Sequence, residues 1–267
     1  QSERDKLKGL NTSGYITGYR GSPLGAVDQQ FNRAKNILTD RKVFFREALN
    51  EDLAATAIWG AQQANIRGDG ATDGVYSLWY GKGPGVDRSG DVFRHANLAG
   101  TDPNGGVLVA MGDDHTGESS TALHQSEYAL IDSMIPIFSP AGVQELLDFG
   151  VLGWELSRFA GVWVGLKCMK DTVEVTEVVD GSVERIEVKK PVFSFPEEGV
   201  QIRTNDLAAI QEERLHKVKI PAVKAFARAN NLNKVVFSKE GAKIGLVSAG
   251  KSWLDTVHAL DLLGINE

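Results

Sequence analysis

Residues 74–113 read GVYSLWYGKGPGVDRSGDVFRHANLAGTDPNGGVLVAMGD, and this stretch decides the fold. Two apolar, β-like runs, 74–81 and 105–113, flank a segment with the residue pattern of a helix, 87–99. A strand, a helix and a second strand in this order are typical of a βαβ unit, in which the two strands lie parallel. The stretch therefore predicts a parallel sheet with helices packed on its faces.

The same alternation continues on both sides of this stretch. The candidate strands are 14–19, 42–49, 74–81, 105–113, 133–139 and 161–168, and the candidate helices are 24–38, 51–66, 87–99, 119–131 and 142–159. Six strands that alternate with helices predict an α/β fold with a doubly wound six-stranded parallel sheet. We expect residues 1–170 to form this domain.

The pattern changes after Lys170. Residues 172–195 alternate like a strand pair around Asp180 and Gly181, and a helical segment, 205–231, follows. We therefore expect 171–240 to be a connector with a strand pair and a helix. The last stretch, KIGLVSAGKSWLDTVHALDLLGI, has the pattern of a strand, a glycine turn and a helix. It predicts that 241–267 begin a second α/β domain, and we expect the chain to be a piece of a longer protein.

The composition excludes several classes of protein. No apolar run approaches the roughly 18 residues of a membrane span, and no signal peptide is recognisable, so we expect a cytoplasmic protein without membrane contact. The net charge is -6 and the basic residues form no stripe, which argues against nucleic-acid binding. Cys168 is the only cysteine, so the chain alone holds neither a disulfide nor an iron–sulfur cluster. A small core residue is the favoured interpretation of Cys168.

The loops that follow four of the strands are unusual. They are rich in Gly, Ser, Asp and Pro, and they read YRGSPLG, YGKGPGVDRSGD, MGDDHTGESS and SPAGVQE. Ligands of open parallel sheets collect beyond the carboxyl ends of the strands, and glycine lets backbone N–H groups approach them closely. The loops predict a binding site at this edge.

The loop residues alone leave its chemistry open. YGKGPGVDRSGD lacks the spacing of a phosphate-binding loop, and its charged residues have two equal interpretations, ion pairs within the loop or ligand contacts. The acids and histidines in and after MGDDHTGESS match no zinc or calcium pattern, so loop rigidity is favoured over a metal site. A hydrolase triad of Ser119, His115 and Asp113 remains an alternative, but no nucleophile-elbow motif supports it.

An acid stands at the start of a helix that has few charges, in LNEDLAATAIWGAQQA, residues 49–64. Asn50 is a good N-cap, and Glu51 and Asp52 would complement the helix dipole by about 0.3–1 kcal/mol each. The functional alternative is that Glu51 lies in a dry cleft because its chemistry requires a carboxylate there. The residues alone leave both interpretations open.

Five separated blocks occur in the order of a known enzyme family. YRGSPLG, LNEDLAATAIWGAQQA, SLWYGKGPGVDRSGDVFRHANLAGT, VAMGDDHTGESS and SPAGVQELLDFG together resemble the N-terminal region of the indolepyruvate ferredoxin oxidoreductases. These enzymes are thiamine-diphosphate-dependent 2-oxoacid:ferredoxin oxidoreductases. The resemblance covers 14–172 and resumes in QEERLHKVK, AFARAN and IGLVSAGKS.

The resemblance implies a pyrimidine-binding domain of the thiamine-diphosphate-enzyme type at 1–170. Glu51 resembles the catalytic glutamate that shares a proton with a ring nitrogen of the aminopyrimidine, while Gly21, Ser22 and Pro23 lie in the matching cofactor turn. Ser22 and Arg20 are the implied contacts of the substrate carboxylate. The turn departs from the family, which often reads TPSS here, and Arg20 replaces a common proline.

The resemblance also implies an activity and partners. The whole enzyme would oxidatively decarboxylate an aryl or branched 2-oxoacid such as indolepyruvate to an acyl-CoA and reduce ferredoxin, as a homodimer. Its pyrophosphate-binding domain, magnesium and 4Fe–4S clusters are expected outside this chain, because the GDG at 68–70 lacks its Asn partner. The helix behind Glu51 is expected to exclude water through Leu53, Ala54, Ala57, Ile58 and Ala61. The alternative is a structural or dimerisation module whose cofactor role has lapsed.

Overall fold

The computed structural model describes residues 1–118 and 122–265. Its centre is one sheet of six strands, β1 (Ser13–Gly18), β2 (Val43–Glu47), β3 (Val75–Lys82), β4 (Val107–Asp113), β5 (Ile137–Phe138) and β6 (Trp163–Met169). Their order is β2-β1-β3-β4-β6-β5, and every neighbouring pair is parallel. The predicted doubly wound parallel sheet is confirmed. The chain order reverses between β1 and β3, which is the type of position where such sheets bind ligands.

Helices cover both faces of the sheet. They are α1 (Ser2–Leu7), α2 (Val27–Arg33), α3 (Lys35–Asp40), α4 (Glu51–Ala61), α5 (Gly83–Arg88), α6 (Gly90–Ala99), α7 (Glu127–Asp132), α8 (Val143–Ala160), α9 (Lys170–Val173), α10 (Ala208–Arg214), α11 (Ile220–Ala229) and α12 (Lys251–Leu262). A π-helical turn, Leu215–Lys219, joins α10 to α11. Within the described part of the chain, no helix combines the length and the apolar character that a bilayer crossing requires.

The central strand β4 shows how the two faces are built. All seven of its residues are buried, and they alternate between two apolar clusters. Val107, Val109 and Met111 point to the cluster that includes side chains of α4, α5, α6 and α7. Leu108 and Ala110 point to the cluster that includes side chains of α2, α8 and α11. We call these the α4 face and the α8 face.

Helix α4 buries only part of the surface that its sequence predicts. Ala54 and Ile58 are fully buried, and Ala61 is half-buried. The prediction was wrong for Leu53, which is 51% exposed, and for Ala57, which is also exposed. Residues four apart share one side of a helix, so Ala54 and Ile58 face the sheet while Leu53 and Ala57 lie beside that stripe.

The strand pair predicted around Asp180 and Gly181 is wrong. Residues 174–207 contain no strand in the structure. Instead, Phe193 and Phe195 pack on Phe159 of α8, with ring centroids 6.4 and 5.3 Å away. Val178 and Val192 of the same stretch are fully exposed, so apolar alternation here guarantees neither burial nor a hydrogen-bonded neighbour strand. The helical part of the prediction is confirmed by α10 and α11.

The strand predicted within 243–249 is also absent from the structure, whereas the helix that follows it is present as α12. The residues of this segment are almost all exposed. A β-strand is stabilised by pairing with a neighbour, and none of the described strands lies next to this segment. The division of the chain into three domains stays a prediction.

Candidate functional site

Glu51 lies at the carboxyl edge of the sheet, near the position between β1 and β3 at which the strand order reverses. It is the first residue of α4, which follows β2 and packs on β1 and β3. The side-chain oxygen of Asn50 accepts a hydrogen bond from Leu53 N at 2.9 Å and caps the helix as predicted. Trp79 of β3 donates its Nε1–H to the carbonyl oxygen of Glu51 at 3.1 Å. These two bonds fix the backbone that carries the carboxylate.

The first turn of α5 packs against the Glu51 side chain. A Cβ atom added to Gly85 would lie 2.4 Å from Glu51 Cγ and 2.7 Å from Glu51 Oε1. No side chain fits between these two helices, so glycine is required at this close approach. Gly85 was missed as a site residue from the sequence, and its only signal was the GKGPG run in the loop after β3.

The two neighbouring acids at the start of α4 have different partners. Asp52 forms an ion pair with Arg88 of α5 at 3.6 Å, and both side chains are largely exposed. The half-buried carboxylate of Glu51 receives neither a hydrogen bond nor an ion pair from any residue within 1–118 and 122–265. Glu51 is therefore an oriented acceptor that a donor group can approach.

The predicted cofactor turn lies at the same edge but on the α8 face. A Cβ atom on Gly21 would be 2.8 Å from Lys82 Cδ, at the end of β3. Pro23 and Leu24 are buried against Gly112 near the end of β4, and the Ser22–Pro23 peptide bond is cis. Ser22 is half-buried, whereas Arg20 is exposed. The fold therefore places this turn and Glu51 at one edge, on opposite faces.

The acids and histidines after β4 hold their loop to its surroundings. His124 Nε2 pairs with Asp87 of α5 at 2.8 Å, and His115 hydrogen-bonds the carbonyl oxygen of His124 at 3.1 Å. Both carboxylate oxygens of Asp113 accept from Ser126 N, and the two ring nitrogens of His115 contact His124 O and Met169 Sδ rather than Asp113. Ser119, the third residue of the alternative hydrolase triad, lies outside the described residues. Among the described residues, no group of three or more His, Cys, Asp or Glu is arranged to hold a metal ion. Asp113 and Asp114 accept hydrogen bonds from the backbone N–H groups of Ser126 and Glu118, and the role of these bonds in loop rigidity stays a prediction.

Cys168 is a buried core residue, as predicted. Burial and the nearby Asp113 raise the pKa of its thiol to about 12. Because only the thiolate is a strong nucleophile, Cys168 is unreactive at neutral pH.

Two adjoining open grooves lie at the opposite, amino edge of the sheet. Their volumes are about 400 and 630 Å³, and they share Asn65, Gly70, Ala71 and Thr72 in their walls. Neither groove includes Glu51 or the turn at 20–25. We place the candidate site at the carboxyl edge, because the oriented carboxylate and the close glycine contacts are there.

Comparison with a solved structure identifies the class of fold. The chain is similar to a 2-oxoglutarate:ferredoxin oxidoreductase from Magnetococcus marinus, solved with 2-oxoglutarate, coenzyme A and succinyl-CoA bound. The TM-score is 0.55 at 15% identity, and the match covers 99% of this chain and 50% of the other. The expected α/β fold of this enzyme class is therefore confirmed.

Comparison with curated sequences identifies the relatives more narrowly. The chain is 24% identical, over 95% of its length, to the indolepyruvate oxidoreductase subunit IorA of Methanothermobacter marburgensis. It has the same identity, also over 95%, to IorA of Pyrococcus abyssi. A family model of the indolepyruvate oxidoreductase domain matches residues 234–267. The predicted resemblance to these oxidoreductases is confirmed, and the chain spans 38% and 37% of these two relatives.

Proposed function

We propose that this chain forms the pyrimidine-binding part of a thiamine-diphosphate-dependent 2-oxoacid:ferredoxin oxidoreductase. The observation that carries the proposal is the Glu51 carboxylate, which lies at the ligand-binding edge of the sheet without a partner among the described residues. In a purely structural acid of a first helical turn, a surface ion pair such as that of Asp52 would be typical.

The residues around Glu51 fit one end of the cofactor. An aminopyrimidine is flat and carries ring nitrogens, so a half-buried carboxylate and a wall without a side chain at Gly85 suit it. The described residues offer no metal-binding group for the diphosphate end, which we assign to a pyrophosphate-binding domain outside this chain. When bound, thiamine diphosphate supplies the acidic carbon and the electron sink that decarboxylation of a 2-oxoacid requires.

The protein supplies the position of the carboxyl group. Asn50 and Trp79 hold the backbone at Glu51, and Gly85 restricts its side chain. Held in this way, Glu51 would share a proton with a ring nitrogen of the aminopyrimidine. Its partial burial would keep bulk water away from that bond and strengthen it.

The names of the relatives suggest the rest of the reaction. We assign an aryl 2-oxoacid such as indolepyruvate as substrate, with coenzyme A as acceptor and ferredoxin as electron acceptor. Ser22 and Arg20 are the proposed contacts of the substrate carboxylate, and Gly21 and Pro23 shape the turn that presents them. The 4Fe–4S clusters and magnesium belong to other segments of a cytoplasmic, dimeric enzyme.

The test is a comparison of two isosteric variants in the full-length protein. We expect Glu51→Gln to lower the thiamine-diphosphate-dependent turnover of indolepyruvate by about 100-fold or more, the usual contribution of a positioned acid–base group. Asp52→Asn is the matched control, because it removes the neighbouring charge and leaves Glu51 in place. Equal turnover of Glu51→Gln and wild type would favour the alternative of a structural or dimerisation module.

A further inference from the structure

A second set of acid–base groups lies on the α4 face at the same edge as Glu51. It consists of Asp113 at the end of β4, Lys167 of β6, and Ser126 and Glu127 at the start of α7. We call these four residues the acid cluster. In the sheet register Lys167 lies opposite Met111, whose side chain points to the α4 face, and Asp113 is two residues further along the same strand. The acid cluster is separate from Glu51 and from the turn at 20–25.

The hydrogen bonds of the acid cluster leave one oxygen atom without a donor. Asp113 is 1% exposed, and its Oδ1 and Oδ2 accept from Ser126 N at 3.2 and 3.1 Å. Ser126 Oγ also donates to Asp113 Oδ1. Glu127 Oε1 forms an ion pair with Lys167. Glu127 Oε2 is buried, and no amide, hydroxyl or ammonium group of the described residues donates to it.

The carboxyl groups of Asp113 and Glu127 lie within hydrogen-bonding reach of each other. An ionised carboxylate only accepts hydrogen bonds, so this contact requires a proton on one of the two acids. With both acids ionised, Lys167 would be one positive charge beside two negative ones, the buried Asp113 and the half-buried Glu127. An uncompensated buried charge is costly, and adjacent carboxyl groups avoid that cost by retaining a proton.

We infer that Asp113 and Glu127 hold one proton between them, with Asp113 as the neutral acid that donates to Glu127 Oε2 and Glu127 as the carboxylate paired with Lys167. This assignment gives the buried Glu127 oxygen a donor and leaves one negative charge for one positive charge. It also places an exchangeable proton at the edge where Glu51 lies. The chain therefore has a second acid–base site in addition to Glu51.

The surroundings of the two acids favour this assignment. Burial raises the pKa of Asp113, against the effect of the Ser126 hydrogen bonds, and the charge of Glu127 raises it further. Burial acts in the same direction on Glu127, but the hydrogen bond and charge of Lys167 reverse it and lower the pKa of Glu127. From β6, Cys168 also lies close to Asp113, and its raised pKa keeps the thiol neutral. The acid that retains the proton is therefore Asp113.

The pair has a structural consequence for the loop. Asp113 binds Ser126, and Lys167 binds Glu127, so the cluster anchors the start of α7 to β4 and β6. His124 precedes Ser126 by two residues, and its ring lies against Gly83 of α5. The acid cluster thus positions His124, the side chain that joins this loop to α5.

Infrared spectroscopy of the full-length protein tests the assignment directly. A neutral carboxyl group has a C=O stretch that a carboxylate lacks. We expect the difference spectrum of wild type minus Asp113→Asn to show this band at neutral pH, and we expect the wild-type band to disappear as the pH is raised. Asp132→Asn, an exposed acid on α7, is the matched control and should leave the band unchanged. If Asp113→Asn leaves the neutral-carboxyl spectrum intact, Asp113 is ionised and the inference is wrong.

The pH dependence of stability provides a second readout. If Asp113 keeps its proton in the folded state above its ordinary pKa of 3.8, the folded state binds more protons than the unfolded state. The urea midpoint of the wild type should then fall as the pH rises through the folded pKa of Asp113. The urea midpoint of Asp113→Asn should not decline over this pH range. The side-chain amide that this substitution introduces does not titrate, and it donates to Glu127 in the same way as the neutral acid.

The opposite result would contradict the inference. In that case the urea midpoint of Asp113→Asn would lie well below that of wild type at neutral pH, and the two midpoints would converge as the pH is lowered. If that variant does not fold, the wild-type infrared titration alone decides, because a neutral-carboxyl band that is absent at neutral pH overturns the assignment. Neither measurement depends on thiamine diphosphate, so a failure here is distinguishable from a failure of the proposed cofactor role.

Discussion

At the scale of single residues, a glycine determines where the candidate catalytic acid lies. Glu51 and Asp52 are both acids of a first helical turn, and the helix dipole favours each of them equally. Only Glu51 faces the side of α5 where Gly85 leaves no room for a side chain. The difference between the two acids therefore comes from packing across two helices rather than from their positions in α4.

Replacement of Gly85 tests this packing. We expect Gly85→Ala to displace the Glu51 side chain, because the new Cβ would lie 2.4 Å from Glu51 Cγ. Overpacking of this kind typically lowers the free energy of unfolding by about 1–3 kcal/mol. Because the carboxylate is also misplaced, we expect cofactor-dependent kcat/KM to fall by about tenfold or more. Gly90→Ala at the start of α6 is the matched control, since nothing lies within 4 Å of its added Cβ. Equal activity of the two variants would show that Gly85 does not position Glu51.

A buried ion pair at the opposite edge gives a prediction about stability. Arg158 donates to both oxygens of Asp5 at 2.7 and 2.9 Å, and the two side chains are 6% and 0% exposed. We expect Asp5→Asn to lower the free energy of unfolding by about 3–5 kcal/mol, because it removes the hydrogen-bonded counter-charge of the buried Arg158 and leaves only Glu155, 3.8 Å away. Urea denaturation measures this, and Glu3→Gln on the same helix, an exposed acid, should cost less than about 1 kcal/mol.

The effect of Asp5 should depend on pH. Burial acts to raise the pKa of Asp5, but the hydrogen bonds and charge of Arg158 reverse this and lower it below 3.8. A lowered carboxyl pKa stabilises the fold at all pH values above 3.8, and this contribution is lost as the pH falls through the folded pKa. The gap between wild type and Asp5→Asn should therefore narrow below pH 3.8, and a gap that widens there would refute the assignment.

At the scale of elements, the sequence predicts the strands well and their surroundings less well. The central strands β3, β4 and β6 coincide with apolar runs, because strands that are covered on both faces need apolar residues throughout. The same logic failed for 172–195, where Phe193 and Phe195 alternate but pack on α8 without pairing. An apolar pattern alone guarantees neither burial nor pairing, because a strand also requires a neighbour that only the tertiary structure supplies.

The π-helical turn at 215–219 is joined to α6 by a buried lysine that the sequence does not reveal. Lys219, in the π-helical turn, is fully buried and donates to the carbonyl oxygens of Asn97 and Leu98 at 3.3 and 3.0 Å. These carbonyls belong to the C-terminal end of α6, whose orphan groups need donors. Burial and the nearby Arg214 lower the pKa of Lys219 to about 7, although Asp206 opposes the shift.

This lowered pKa makes stability rise with pH. Between pH 7 and the ordinary pKa of 10.5 the unfolded state binds a proton that the folded state releases. The free energy of unfolding should therefore rise by up to about 1.4 kcal/mol per pH unit in this window. We expect Lys219→Met to remove the rise, as measured by urea denaturation at several pH values. Lys217→Met, an exposed lysine of the same turn, should retain it, and identical slopes in the two variants would contradict the prediction.

At the scale of the whole molecule, the topology brings distant segments to one edge. The doubly wound order places Glu51, the turn at 20–25 and the acid cluster beyond the carboxyl ends of the strands. The sequence predicted that a site would lie at this edge, because the composition of the loops and the order of strands and helices along the chain are enough to locate it. It did not predict that Ser22 and Glu51 lie on opposite faces, or that Asp113 binds Ser126, since both depend on how helices pack across the sheet.

The most direct test of the central claim is the rate at which the acidic thiazolium proton of bound thiamine diphosphate exchanges with solvent deuterium. The full-length protein is used, because the relatives of this chain extend well beyond it. A carboxyl group that shares a proton with the aminopyrimidine should accelerate this exchange before any substrate binds. The account predicts that Glu51→Gln slows the exchange by about 100-fold or more while Asp52→Asn leaves it unchanged. Equal exchange rates in wild type and Glu51→Gln would contradict it.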